Sequence, residues 1–128
     1  METETTENGT LEHWNPADVK EAFERGDIVM IDVRTPQEFT FERIEGALLA
    51  PMQAFQPIHM PGQSDKKIVF FCGSGVRSGK VAKQFLESGV DRAAHMKGGF
   101  GAWKDAGFEY TGTDMSTGAP KTMSKSDG

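Results

Sequence analysis

One cysteine, Cys72, is the whole thiol complement of this chain. A single thiol cannot close an intramolecular disulfide, so the fold has to stand on an apolar core and the thiol is expected to stay reduced. Histidine is scarce too: His13, His59 and His95 are scattered, and with one cysteine they offer no pair at the usual zinc-ligand spacings. No metal and no cofactor is expected. No apolar run approaches the length that spans a bilayer, and the opening METETTENGT has neither the basic nor the apolar region of a secretory signal. The expectation is a cytoplasmic protein with no membrane partner. Basic residues are outnumbered, 14 Lys and Arg against 19 Asp and Glu, which leaves no general footprint for nucleic acid.

What is present suffices for one domain of 128 residues. Residues 1–10 are polar and acidic, and residues 111–128 are mostly Thr, Gly, Ser, Lys and Asp. Such segments bury too little to offset ordering entropy, so both are expected to be disordered, leaving a folded unit at 11–110. Asn15-Pro16-Ala17-Asp18 predicts a helix start, with Val19, Ala22 and Phe23 on one face and a stop at Gly26. Ile28-Val29-Met30-Ile31 and Ile68-Val69-Phe70-Phe71 read as strands covered on both faces. A short helix is expected from Pro36, a brief strand over 46–51 and, with Pro57, Pro61 and Gly62, a loop over 56–63. Val81, Ala82, Phe85 and Leu86 mark a helix after Arg77, Ala93 to Met96 a weak strand, and Gly98 to Trp103 the start of a last helix. Strands alternating with helices predict an α/β fold, a mostly parallel central sheet with helices on both faces. In such sheets ligands bind at the strands' carboxyl ends, where Cys72 stands.

Cys72-Gly73-Ser74-Gly75-Val76-Arg77 is a turn from strand into helix. Its glycines permit a backbone whose N–H groups converge as an anion nest, and the first turn of the next helix adds more free donors. A thiolate held there is favoured over a thiol and is a nucleophile near neutral pH without an adjacent base, so no histidine is demanded. The competing reading is a small buried apolar cysteine, yet Gly-Ser-Gly gives it nothing in sequence to pack against. Arg77, a cation in a helix's first turn, opposes the helix dipole. It needs a carboxylate such as Asp32 or Glu38, or an anionic substrate, to offset that. Ser74 and Ser78 could donate hydroxyl bonds to the same anion, and Ser78 could equally be a first-turn cap. Between Lys66 and Leu86 the chain has five basic residues and no acid, so the neighbourhood of Cys72 is positive within an acidic protein. Phosphate-loop patterns fail: a Walker loop needs Gly at 74 and Ser or Thr after Lys80, where Ser74 and Val81 stand, and a dinucleotide loop needs Gly at 78, where Ser78 stands.

These residues resemble a single rhodanese domain. "IDVRTPQEF" resembles the family's Asp-x-Arg strand end followed by a Glu-aromatic pair, "ERIEGALLAP" its Gly-His-Ile-x-Gly-Ala segment, and "CGSGVRS" its Cys-x-x-Gly-x-Arg-Ser loop. "HMKGGFGAWKDAGF" is similar to its closing Gly-Gly-x-x-x-Trp element. The resemblance implies a rhodanese-like fold and a sulfurtransferase in which Cys72 takes a sulfane sulfur from a donor such as thiosulfate and passes it from a persulfide to cyanide or a thiol. It implies that Gly73, Ser74, Gly75, Val76, Arg77 and Ser78 hold the transferred sulfur, while Asp32, Arg34 and Glu38 support the loop. A monomer served by small-molecule donors and acceptors is expected. The alternative is a sulfur carrier or binding module for a protein acceptor. Related phosphatases and arsenate reductases carry a loop one residue longer, so oxyanion chemistry is the weaker enzyme reading. Glu42-Arg43 stand where the family commonly has Gly-His, and 56–63 replaces a helix often found there.

Overall fold

The computed structural model describes residues 1–124. Two apolar runs make its centre. β3 (Ile28–Asp32) and β5 (Lys67–Phe71) pair in parallel, Ile28 opposite Lys67 and Asp32 opposite Phe71. β6 (Arg92–Met96) continues the sheet beyond β5, and the two-residue β4 (Leu48–Leu49) beyond β3. With β1 (Glu2–Thr6) and β2 (Gly9–Trp14) the order is β1-β2-β6-β5-β3-β4, parallel throughout except for the β1/β2 hairpin. The α/β, mostly parallel sheet read from the sequence is therefore present.

Strand side chains alternate between faces, and each face has its own core. Ile31, Val33, Ile68 and Phe70 turn toward α3 (Val76–Glu87), which returns Val81, Ala82, Phe85 and Leu86. Met30, Val69, Phe71 and Met96 turn the other way, toward Val19 and Ala22 of α1 (Pro16–Glu24) and Phe100 and Trp103 of α4 (Gly99–Asp105). Asn15 caps α1 by accepting from Asp18 N–H at 2.8 Å. In α2 (Pro36–Phe41) Thr35 and Glu38 form a reciprocal capping box, an arrangement worth about 1 kcal/mol. Among the described residues no helix is long and apolar enough to cross a membrane.

Three expectations need correction. Residues 1–10 are not a loose end: β1 pairs along its whole length with β2, from Glu2 opposite His13 to Thr6 opposite Gly9. Ladder hydrogen bonds hold such an edge strand with little burial of its own, and its Thr residues suit a strand, so polarity alone misleads. The tail from 111 is ordered as far as it is described. β7 (Tyr110–Thr113) pairs with β8 (Pro120–Met123) in a second, two-stranded sheet, and Thr111 exchanges backbone bonds of 2.8 Å with Arg43. Residues 125–128 of that expected disordered tail lie outside the described residues. Finally, 56–63 is not wholly irregular: Pro57–His59 is one turn of 3-10 helix, preceded by another at Met52–Ala54. Proline at the first position of such a turn costs no hydrogen bond.

Candidate active site

Cys72 follows β5 directly, and the loop 73–75 carries the chain into α3. Sγ is the loop's focus: it accepts from Gly75 N–H at 3.1 Å and Ser78 N–H at 3.3 Å, with Ser78 Oγ at 3.6 Å. The ring needs glycine where it turns. Gly75 has φ +100°, and a Cβ there would stand 3.2 Å from Gly98 N, so a side chain would be strained and crowded at once. α4 braces the loop from outside, with Phe100 N–H donating to Cys72 C=O at 2.7 Å and Gly101 N–H to Gly73 C=O at 2.9 Å. That approach requires Gly99, whose Cβ would lie 2.4 Å from Cys72 O.

The thiol itself is fully buried and belongs to the α3-side core. The adjacent Gly-Ser-Gly does not bury it; the cluster it joins is supplied by β5 and by other parts of the chain, Val33 and Val81 among them. Burial pushes the Cys72 thiol up, but the backbone N–H and hydroxyl of Ser78, then the N–H groups of Gly75 and Ser74, outweigh it and hold the thiol below its ordinary value. A buried cysteine whose thiolate is favoured by several N–H donors differs from inert core filling, whose thiol burial alone would push up.

Each arginine near the loop has its own carboxylate. Arg77, in the first turn of α3, makes a two-pronged pair with Glu38 at 2.7 and 3.1 Å, which offsets its opposition to the helix dipole. Of the two carboxylates open to it, the structure chooses Glu38. The Arg77 guanidinium, helped by Thr35 N–H and hydroxyl, overcomes partial burial and holds the Glu38 carboxyl down to about 2. Asp32 instead serves Arg34, accepting its Nε at 3.0 Å, Nη2 at 2.9 Å and backbone N–H at 2.9 Å. Arg34 also donates to Glu42 C=O at 2.6 Å and lies over the Phe100 ring at 4.6 Å, so it ties β3 to the α4 brace.

The loop residues thus surround Sγ, with Ser74 and Val76 facing solvent and Ser78 buried. Asp32, Arg34 and Glu38 sit one step away as pairs. Sequence reasoning missed His95: its Nδ1 is 2.9 Å from Ser78 Oγ, so an imidazole stands behind the residue that touches Sγ. The available signal was strand alternation, which puts Ala93 and His95 on the face that α3 covers. A cavity of about 770 Å³ lined by Phe23, Ile44, Trp103 and Tyr110 shares no residue with the loop.

A buried cysteine in an N–H cradle, between a parallel strand and a helix, defines a class of α/β domain that comparison makes specific. The family model described as "Rhodanese-like domain" matches residues 15–106, and the chain belongs to that family. Among curated relatives, the Coxiella burnetii "Thiosulfate sulfurtransferase GlpE" is 31% identical over 73% of this chain and 82% of that protein. The "Uncharacterized protein slr1261" of Synechocystis is 33% identical over 84% of this chain, which spans only 59% of that longer protein. The crystal structure of a rhodanese-related protein from Thermoplasma volcanium, 24% identical, superposes over 77% of this chain and 96% of its own with a TM-score of 0.67, confirming the rhodanese-like fold.

Proposed function

We propose that this chain is a sulfurtransferase that carries a sulfane sulfur as a persulfide on Cys72, with thiosulfate as donor and cyanide or a small thiol as acceptor in the reducing cytoplasm. The observation that carries the reading is the Gly75 and Ser78 N–H pair aimed at Sγ. The thiolate attacks the outer sulfur of thiosulfate, the S–S bond breaks, and sulfite leaves with the bonding pair. The acceptor then attacks the terminal sulfur of the persulfide and frees the Cys72 thiolate. In that second step the negative charge returns to Sγ, at which the Gly75 and Ser78 N–H groups already point. The name of the Coxiella relative supports thiosulfate as the donor. A six-residue ring from Cys72 to Arg77 suits one sulfur atom better than a tetrahedral oxyanion, which disfavours phosphatase chemistry.

Intact mass before and after brief exposure to thiosulfate, without reductant, tests this. Wild type is expected to gain one sulfur atom that cyanide removes, and Cys72→Ser to gain none. A gain in Cys72→Ser, or none in wild type with any sulfane donor, would overturn the persulfide enzyme. A persulfide that only a protein acceptor discharges would leave a sulfur carrier.

A further inference from the structure

Cys72 is buried, with its Sγ held between the Gly75 and Ser78 N–H groups and the α3-side core. Behind it runs a line of polar side chains across the sheet. Cys72 Sγ lies 3.6 Å from Ser78 Oγ, Ser78 Oγ 2.9 Å from His95 Nδ1, His95 Nε2 2.8 Å from His13 Nδ1, and His13 Nε2 3.2 Å from Glu4 Oε1. The sheet builds this line: His13 and His95 are register partners on β2 and β6, and β1 brings Glu4 beside His13. We propose that Ser78, His95 and His13 form a relay that takes the Cys72 proton to His13, where Glu4 holds it, and that His13 and His95 are positioning residues for the thiolate.

The direction follows from the outer end. An ionised carboxylate only accepts, so His13 Nε2 carries the proton that meets Glu4. A neutral His13 then has a bare Nδ1, which must accept from His95 Nε2. That leaves His95 Nδ1 bare, to accept from the Ser78 hydroxyl at 2.9 Å, shorter than that hydroxyl's other acceptor, the Gly75 C=O at 3.3 Å, and leaves the lone pairs of Ser78 Oγ to accept from the Cys72 S–H. Every donor points outward. When the thiol ionises, its proton passes to Ser78 Oγ, the hydroxyl proton to His95 Nδ1, and the His95 Nε2 proton to His13 Nδ1. One proton leaves Sγ, one arrives at His13, and nothing is oxidised. The chain is then reversed, so the Ser78 hydroxyl donates to the thiolate beside the N–H groups of Gly75 and Ser78.

The surroundings suit each link. His95 faces Ser78 and Lys83 on α3, His13 on β2 and apolar Phe70 on β5. Burial first, then His13 and Lys83, press the His95 imidazolium down to about 4, against the pull of Glu4, so His95 passes a proton without keeping it. His13 is a quarter exposed and faces Glu4, and across the hairpin Glu2, whose carboxylate Lys97 Nζ already holds at 2.8 Å. An imidazolium there has a carboxylate and water.

This rests on Cys72 being the nucleophile, but its test uses no sulfur donor, so a coupled Cys72 without transfer would sink the sulfurtransferase and leave the relay standing. With a single cysteine, ultraviolet thiolate absorbance of the reduced protein titrates Cys72 alone. Imidazole NMR follows His13. In His13→Gln the Cys72 midpoint is expected to rise by about one pH unit, a tenfold loss of acidity. By reciprocity, Cys72→Ser should lower the His13 midpoint by a similar amount. Ser78→Ala, which keeps both charges, should collapse the coupling, and the exposed Glu4→Gln should raise the Cys72 midpoint by less than His13→Gln does. An unmoved His13 in Cys72→Ser overturns the relay, and so does coupling that survives in Ser78→Ala. Should His13→Gln fail to fold, the Cys72→Ser measurement decides, because it leaves both histidines in place.

Discussion

Two arginine–carboxylate pairs frame the cysteine loop, and they are built oppositely. Arg34 and Asp32 are two residues apart at the end of β3, with side chains 5% and 0% exposed. Arg77 and Glu38 are joined from α3 to α2, with side chains 32% and 38% exposed. The first pair gives up its hydration entirely and recovers it through multiple bonds to Asp32, the Glu42 carbonyl and the Phe100 face. The second keeps water on both partners, so either can be pulled away at modest cost. A buried, locally closed pair is a fixture of the frame. A half-exposed pair beside the cysteine loop keeps the Arg77 guanidinium, next to Gly73, within reach of solvent.

That contrast predicts which substitution costs stability and which costs activity. Arg34→Ala leaves Asp32 buried and unpaired, and should destabilise the fold by about 3–5 kcal/mol, read as a lower urea midpoint with unchanged slope. Replacing both partners with apolar residues should recover much of that loss. Arg77→Ala should cost under about 1 kcal/mol in the same measurement. Its transfer from thiosulfate, however, should fall about tenfold in kcat/KM, the equivalent of about 1.4 kcal/mol of transition-state stabilisation. If the two variants lose stability equally, the distinction between frame and responsive pair is wrong. Arg77→Lys sharpens it: the charge stays but the two-pronged geometry goes, so activity should fall between wild type and Arg77→Ala.

The sequence showed the centre of this molecule better than its margins. β3 and β5 announce themselves as apolar runs, α1 by Asn15-Pro16, and α3 by Val81, Ala82, Phe85 and Leu86, because one periodic pattern suffices for each. β1 and β2 do not, since β2 is ordered by pairing with β6 and β1 by pairing with β2, which leaves most of β1 polar and exposed. The loop around Cys72 was legible as a nest because glycine spacing constrains the backbone directly. The burial of Cys72 was not, because the core cluster it joins draws on other parts of the chain, Val33 and Val81 among them. Thr35-Pro36-Gln37-Glu38 carried a capping box in plain sight, and its consequence was larger than a helix start. By fixing Glu38 it also fixes where Arg77 finds its partner.

The smallest predicted effect separates the pairs by acid. Glu38 has a folded-state pKa of about 2 against an ordinary 4.5, with the Arg77 bond as the first cause. A carboxyl depressed in the folded state contributes stability that is fully present above about pH 4.5 and is lost as pH falls toward 2. Because the pair is more than a third exposed on the Glu38 side, solvent keeps the contribution under about 1 kcal/mol. Urea midpoints of wild type and Glu38→Gln should therefore differ most at neutral pH and converge as the pH is lowered through that window. Salt should narrow the neutral-pH gap as well, since a half-exposed pair is screened where a buried one is not. A gap that persists unchanged at acid pH would mean Glu38 acts through the Thr35 capping box rather than through Arg77, and Thr35→Ala would then reproduce it.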